Sequence, residues 1–385
     1  MKYDFQNSTY SKLWDSKEGG ALLTYLLNDP ELIRSNHNFW RQKFTVDPNI
    51  TPTAADGTAT FKSAMREIET GSMMHMRAPL GDTITRDKKG VKFYTGVIPD
   101  FITDGFREQA MEREYKEQQF IENFGNDAMI IAQFANEVQA LVDSSDQTLS
   151  NMGAQVMSKG FIYYNFGLGL QGGLYKAEIP AENFCTAGES VWNTTCNLLD
   201  QMREIERKYK EDKWGVDIPL QWEIPYDMFH NIVLKNKQVR EWIIENRKLN
   251  NNVVVDGMVM TEAMFREYIG TFEGVSPIVV IEEKQKNEGT TVKGWKPNVA
   301  VLRPRGYAGV IRHTTILDQK MYEKYGSNLI TRTFGKTNNG LFTLMNTVIQ
   351  NGNMKEWHTE GMMSAIPTLD EFIYHIIVDT QTADA

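Results

Sequence analysis

W-K-P-N-V-A-V-L-R-P-R-G-Y-A-G-V-I-R-H, residues 295–313, reads as a strand-like run, a glycine turn and the start of a second run. Further on, E-W-H-T-E-G-M-M-S-A-I-P-T-L-D-E-F-I-Y-H-I-I-V-D, residues 356–379, closes the chain with a proline followed by another strand-like run. No nucleophile signature, metal-ligand cluster or phosphate loop accompanies either stretch. Between them, Asn338-Asn339-Gly340 and Gly352 are turn signals bounding L-F-T-L-M-N-T-V-I, a run that fits helix or strand.

Working outward, the 385 residues allow two or three domains with substantial cores, and 41% hydrophobic with 24% charged residues describes a globular chain. The formal net charge of -9 argues against a protein whose main task is gripping phosphate backbones. Cys185 and Cys196, the only cysteines, make no disulfide framework and point to a reducing compartment. The N-terminus lacks the apolar core of a signal peptide, and no run approaches the roughly 18 apolar residues of a membrane span. The 19 methionines suit irregular interiors and adaptable contacts.

Residues 1–56 read as an arm with one short helix, A-L-L-T-Y-L-L, stopped at Asp29-Pro30. A helix is expected around Phe61–Ile68. Thr83–Arg86 and Val91–Ile98 flank D-K-K-G, which predicts a β-hairpin. Residues 100–124 carry mixed charges at helical spacing. Residues 126–160 carry the clearest helical period, with Ile131, Phe134, Val138, Leu141, Leu149, Met152 and Val156 at three- and four-residue steps. Unbroken, that helix would run about 50 Å, with D-S-S-D at 143–146 as the place where it could break. An amphipathic helix is expected over 189–211, with Trp192, Cys196, Leu199, Met202 and Tyr209 near one face. A strand then a helix over Val239–Arg247 is expected within 218–247. Val253–Val255, Met258–Ile269 and Ile278–Glu282 read as strand, helix, strand, and 284–291 as a loop.

Tested for chemistry, Gly167-Leu-Gly169-Leu-Gln-Gly172 matches G-x-G-x-x-G, but Pro180 cuts short any helix it could open. A Gly-rich connection is the better reading. His37, His75, His230, His313, His358 and His375 include no i, i+4 pair, so no local metal motif exists. Glu282-Glu283 and Glu112/Glu114 read as solvated faces, and the cysteines as packed thiols. Two basic features stand out. Arg86, Lys88, Lys89 and Lys92 cluster at the expected hairpin tip, and the acidic helix with Glu108, Glu112, Glu114 and Glu117 is a complementary surface for them on a neighbouring subunit. Arg303-Pro304-Arg305-Gly306 is a basic turn that could meet nucleic acid or a neighbour.

Taken in order, these segments resemble major capsid proteins of tailed phages with the Hong Kong 97-type fold, of the lambda-type (protein E-like) family. Thr83–Ile98 with Pro99 resembles that family's extended loop, Asn126–Gly160 its spine helix, and 219–239 a strand-to-helix segment of its axial domain. Residues 295–309 resemble the end of that domain, and Ile366-Pro367 the terminal proline before the last strand. The resemblance implies an α+β fold divided as N-terminal arm 1–56, extended loop 57–100, peripheral domain with spine helix 101–184, axial α/β domain 185–314, and a return to the peripheral domain 315–385. It implies a non-enzymatic shell subunit, in hexamers and pentamers of an icosahedral capsid around phage DNA, in the virion and assembled in the host cytoplasm. No cofactor or membrane is implied, and DNA contact is weak and non-specific. A portal and a separate scaffold or decoration protein are the implied partners, because the first 56 residues are too short and too weakly helical for a built-in scaffold. The other readings are an encapsulin-like compartment, a tail or portal component, and a cytosolic dinucleotide-binding enzyme.

Overall fold

The computed structural model describes residues 19–29, 38–54, 58–66, 91–103, 105–109, 112, 115–116, 118–119, 122–123, 128–164, 173–210, 218–249, 260–269, 274–287, 290–325, 330–351 and 354–383. The strand Val299–Pro304 is its centre, with every residue buried. Side chains alternate across a strand, so one covered on both faces needs a continuous apolar run. V-A-V-L supplies it. Val299 and Val301 face a core shared with Leu149, Met157 and Trp295. Ala300 and Leu302 face a second core with Met202, Phe229 and Ile243.

This strand is the middle of a five-stranded sheet ordered 278–281, 220–225, 299–304, 376–379, 184–186. The two outer pairings are parallel and the two inner ones antiparallel. Helices Leu198–Arg207, Lys237–Leu249 and Glu262–Ile269 contribute Leu199, Val239, Ile243 and Phe265 to the second core, on one face of the sheet. The helix expected over 189–211 is shorter than its pattern. Trp192 and Cys196 are buried ahead of it, in a turn where Asn193 Oδ1 accepts hydrogen bonds from the Thr195 and Cys196 amides.

After Pro304 the chain turns at Gly306 (φ +107°) and enters another sheet as Gly309–His313. That seven-stranded sheet is ordered 44–46, 309–313, 354–369, 343–351, 330–336, and 100–102 and 106–109 also pair with 354–369. The 16-residue strand Met354–Leu369 organises it: Glu356–Thr359 takes 106–109 on one edge, and Ala365–Leu369 takes 309–313. Leu341–Ile349, open to helix or strand from its pattern, is strand within Thr343–Asn351. Its Leu344 and Val348 are buried under Leu23, Leu26 and Leu27 of the N-terminal helix Gly19–Asn28.

The helix Ala128–Lys159 joins the two sheets and runs unbroken for 32 residues, about 48 Å. Its first half, with Phe134, Val138 and Leu141, packs with Leu344, Val348 and Trp357 under the first-described leucines. Its second half, with Leu149, Met152, Val156 and Met157, packs against the five-stranded sheet. D-S-S-D does not interrupt it. The Ser144 and Ser145 hydroxyls donate to the Ala140 and Val142 carbonyls one turn back, and Asp146 has tertiary partners.

Several expectations are corrected. Residues 60–66 form a strand and not a helix, paired antiparallel with Val91–Val97. Residues 67–90, including Thr83–Arg86, lie outside the described residues. The charged stretch 100–124 begins as two strands, 100–102 and 106–109, before helical residues such as Glu112, Tyr115 and Lys116. Gln285–Asn287 and Thr290–Val292 make a small antiparallel pair where a loop was expected.

The outer strand Ile330–Lys336 has its free edge closed by side chains. Tyr322 Oη accepts from the Arg332 amide, Thr24 Oγ1 accepts from the Lys336 amide, and Asn28 Nδ2 donates to the Lys336 carbonyl. Asn28 Oδ1 also accepts from the Asn338 amide. Closing an edge in this way blocks unspecific strand pairing. Asn28→Ala is expected to cost about 1–2 kcal/mol, because it removes hydrogen bonds from both the edge and the following turn. A urea-denaturation midpoint equal to wild type would contradict the role given to Asn28.

Candidate functional site

The expected charge pair is one between subunits, and several of its residues lie outside the described ones. Arg86, Lys88 and Lys89 lie outside them, as do Glu114 and Glu117. Lys92 sits on the strand 91–97 opposite Met65. Glu108 is on a strand and not on the acidic helix, and its carboxylate accepts from Lys116 Nζ at 2.8 Å within the same chain. Glu112 is exposed. Gly167–Gly172 also lies outside the described residues, but its flanks decide the dinucleotide reading. Phe161–Tyr164 and Gly173–Lys176 pair antiparallel, so the segment that follows Gly172 is a strand and not a helix. The pyrophosphate would have no helix N-terminus to meet.

That hairpin has two unlike faces. Ile162 and Tyr175 pair across it and are buried in the main core. Tyr163 and Leu174 pair across the other face and are 57% and 65% exposed, with Phe161 beside them at 39%. An apolar cross-strand pair open to solvent is a feature of contact surfaces.

The basic turn behaves differently from its sequence reading. Arg303 is 1% exposed and directed inward, and its Nη2 donates to Glu223 Oε1 at 2.7 Å. Lys43 Nζ donates to the same oxygen at 2.7 Å, and Gln221 Nε2 at 2.9 Å. The Arg303 Nη1 donates to the Pro304 and Gly306 carbonyls and so also holds the turn. Burial alone would raise the Glu223 pKa, but the charges of Arg303 and Lys43 outweigh it and hold it at about 2. Arg303 is therefore unavailable to an external phosphate. Neighbouring His375 is buried, which pushes its pKa down to about 4, and its neutral ring donates Nε2–H to the Met157 carbonyl at 2.7 Å.

Lys43 belongs to a segment fastened along its whole length. Trp40 Nε1 and Arg41 donate to Asp146 of the long helix at 2.8 and 3.1 Å. Phe44–Val46 pairs parallel with Gly309–Ile311. Asp47 accepts from Arg312, and its carbonyl meets His313 Nε2. One short stretch thereby ties the helix and both sheets. The sequence offered one signal for this ionic knot: Glu223 and Arg303 are lone charges inside apolar runs, I-P-L-Q-W-E-I and V-A-V-L-R.

Among the described residues no three His, Cys, Asp or Glu side chains gather as a metal-ligand set, and no helix is long and apolar enough to cross a membrane. No family model matches the sequence, and no curated protein matches it. Solved structures do. A protein of an E. coli CFT073 prophage, assigned as its capsid protein, is 12% identical with a TM-score of 0.48, over 93% of this chain and 97% of its own. The cyanophage A-1(L) capsid is 11% identical with a TM-score of 0.42, over 91% of this chain and 94% of its own. The capsid of Myoviridae phage XM1 is 13% identical with a TM-score of 0.38, over 91% and 95%. These solved structures, to which the chain is similar along nearly its full length, are phage and prophage capsid proteins.

Proposed function

We propose that this chain is the major capsid protein of a tailed phage, a structural and not a catalytic protein, whose copies form the hexamers and pentamers of an icosahedral shell around DNA. The observation that carries the reading is the order of elements. An N-terminal segment, a two-stranded hairpin outside both main sheets, a 32-residue helix joining two cores, a mixed sheet with helices on one face, and a return to the long strand follow one another. That is the order implied by the resemblance to lambda-type capsid proteins. In these terms the hairpin 60–66/91–97 starts the extended loop, Ala128–Lys159 is the spine, and the five-stranded sheet belongs to the axial domain. The capsid would assemble in the host cytoplasm with a portal and a separate scaffold or decoration protein.

A closed shell needs one subunit to meet copies of itself at slightly different angles. The exposed Tyr163–Leu174 pair and the basic residues Arg86, Lys88, Lys89 and Lys92 are the surfaces offered for this, with Glu108, Glu112, Glu114 and Glu117 as the acidic counterpart. Negative-stain microscopy of the protein, expressed with and without its genomic neighbours, should reveal shells or five- and six-membered rings. Particles of single-subunit size in both preparations would overturn the proposal. Tyr163→Ser with Leu174→Ser should reduce shell yield about tenfold or more while leaving the melting temperature nearly unchanged, because both side chains are solvent-exposed in the subunit. Undiminished shells from that variant would remove the hairpin face from the interface.

A further inference from the structure

Arg303 is consumed inside the protein, but Arg305, two residues on, is not. It is exposed, its amide donates to the Pro219 carbonyl and its Nε to the Leu220 carbonyl, both at 3.0 Å. These bonds fix the guanidinium in position, and among the described residues no carboxylate pairs with it. Arg305 lines a cleft of about 510 Å³ together with Lys210 and Arg266. The three cations come from separate parts of the chain: the turn after the central strand, the turn just past the helix Leu198–Arg207, and the helix Glu262–Ile269. Such convergence is notable in a chain of net charge -9.

Two carboxylates stand close to these cations. Glu206 lines the same cleft, but it is 3% exposed and its oxygens are occupied. Oε1 accepts from Trp222 Nε1 at 2.7 Å and from the Ser276 amide at 2.5 Å, and Oε2 accepts from Ser276 Oγ at 2.7 Å. Lys210 Nζ forms an ion pair with Oε2 at 3.7 Å, beyond hydrogen-bond distance, so its N–H donors can still reach an incoming acceptor. Arg266 is shared with Glu262 on its own helix at 2.6 Å and is the weakest of the three. Arg203, which packs near Gly274 at the cleft, is paired with Asp200. Val275, Pro277 and Ile278 give the cleft an apolar side against which a sugar or base ring can lie. The volume falls in the range of pockets for groups of nucleotide size.

We infer that this cleft binds phosphate, supplied by the phosphodiester backbone of DNA, with Lys210 and Arg305 as the principal contacts. The inference rests on the shell reading for its source of DNA, yet purified subunits test it without requiring shells. A fluorescein-labelled 20-bp duplex is titrated with wild type, with Lys210→Gln/Arg305→Gln, and with Lys235→Gln/Lys237→Gln, which removes two cations elsewhere on the same domain. The cleft variant should bind about tenfold more weakly at 50 mM salt, and the slope of log affinity against log salt should fall by about 1.8, for two lost phosphate contacts. The control pair should bind as wild type. Equal losses in both variants, or no loss in either, would overturn the assignment. Arg305→Lys, which keeps the charge, should restore most of the binding and distinguishes a charge effect from misfolding. Inorganic phosphate should compete with the duplex somewhat better than chloride at equal ionic strength, and far more weakly than unlabelled duplex. Saturable inorganic-phosphate binding without duplex binding would overturn the backbone as the source. Duplex binding by a protein that forms no shells would sink the shell reading and leave the cleft standing.

Discussion

Glu223→Gln is expected to destabilise the folded chain by about 3–5 kcal/mol, measured as the loss in unfolding free energy from urea titrations at pH 7. The substitution preserves the shape and the accepting Oε1, and turns only the unpartnered Oε2 into an amide, so most of the loss is electrostatic. Lys43 and Arg303, each almost fully buried, would share a site with no anion. The pH dependence has a definite sign. The folded pKa of Glu223, about 2, lies below its ordinary value of 4.5. Its contribution is therefore complete above pH 4.5 and is lost as pH falls toward 2. A shift of this size corresponds to roughly 3 kcal/mol, in agreement with the mutational range. In Glu223→Gln the acid-induced loss over that window should be correspondingly shallower. Replacing Lys43, Glu223 and Arg303 together by apolar residues of similar volume should recover much of the stability, since the desolvation cost of all three charges disappears. A loss below about 1 kcal/mol for the single variant, or an unchanged acid profile, would mean that the knot does not fasten the fold.

The same residues explain what the sequence could and could not reveal. The long helix was legible because its apolar period is local: Phe134, Val138, Leu141, Leu149, Met152 and Val156 lie on the buried face, as spaced. So was the two-sided burial of V-A-V-L, and the glycine turn behind it. The strand 60–66 was not legible. T-F-K-S-A-M-R has no clean alternation, and its partner begins 25 residues beyond its end, so non-local pairing overrode a weak local preference. Strands 100–102 and 106–109 were hidden by charges. Phe106-Arg107-Glu108-Gln109 looks helical by composition, but Arg107 bonds across the sheet to Glu356, a contact visible only once the 16-residue strand is placed. The ionic knot brings together positions 43, 223 and 303, whose separations carry no periodic signal. The cleft holding Lys210, Arg266 and Arg305 was hidden for the same reason, with only Arg305 standing in a recognisable basic turn.

Gly309→Ala should be about as damaging as the loss of Glu223, at about 3 kcal/mol or more, although it adds a single methyl group. Gly309 lies between two strands, opposite Phe44 on one side and Leu369 on the other. A Cβ at this position would sit 1.8 Å from the Thr368 carbonyl oxygen and 2.8 Å from its carbon. Both are backbone atoms in a paired strand, so no rotamer change relieves the overlap, and the sheet must open. The opening should spread. The Ala308 amide donates to the Lys43 carbonyl at 2.6 Å, and the Asp370 amide to the Ala308 carbonyl at 3.2 Å. Moving the strand 309–313 therefore draws Lys43 away from Glu223. Gly306, three residues earlier, is the natural comparison. Its φ of +107° disfavours a side chain, but a Cβ there meets nothing within 4 Å. Gly306→Ala should cost only the backbone strain, about 1–2 kcal/mol. If the sheet and the ionic knot are coupled as the contacts indicate, Gly309→Ala combined with Glu223→Gln should fall short of the sum of the single losses by about 0.5–3 kcal/mol. Strict additivity would uncouple the two. A Gly309→Ala protein no less stable than Gly306→Ala would mean that the strands accommodate a methyl group where the geometry leaves no room for one.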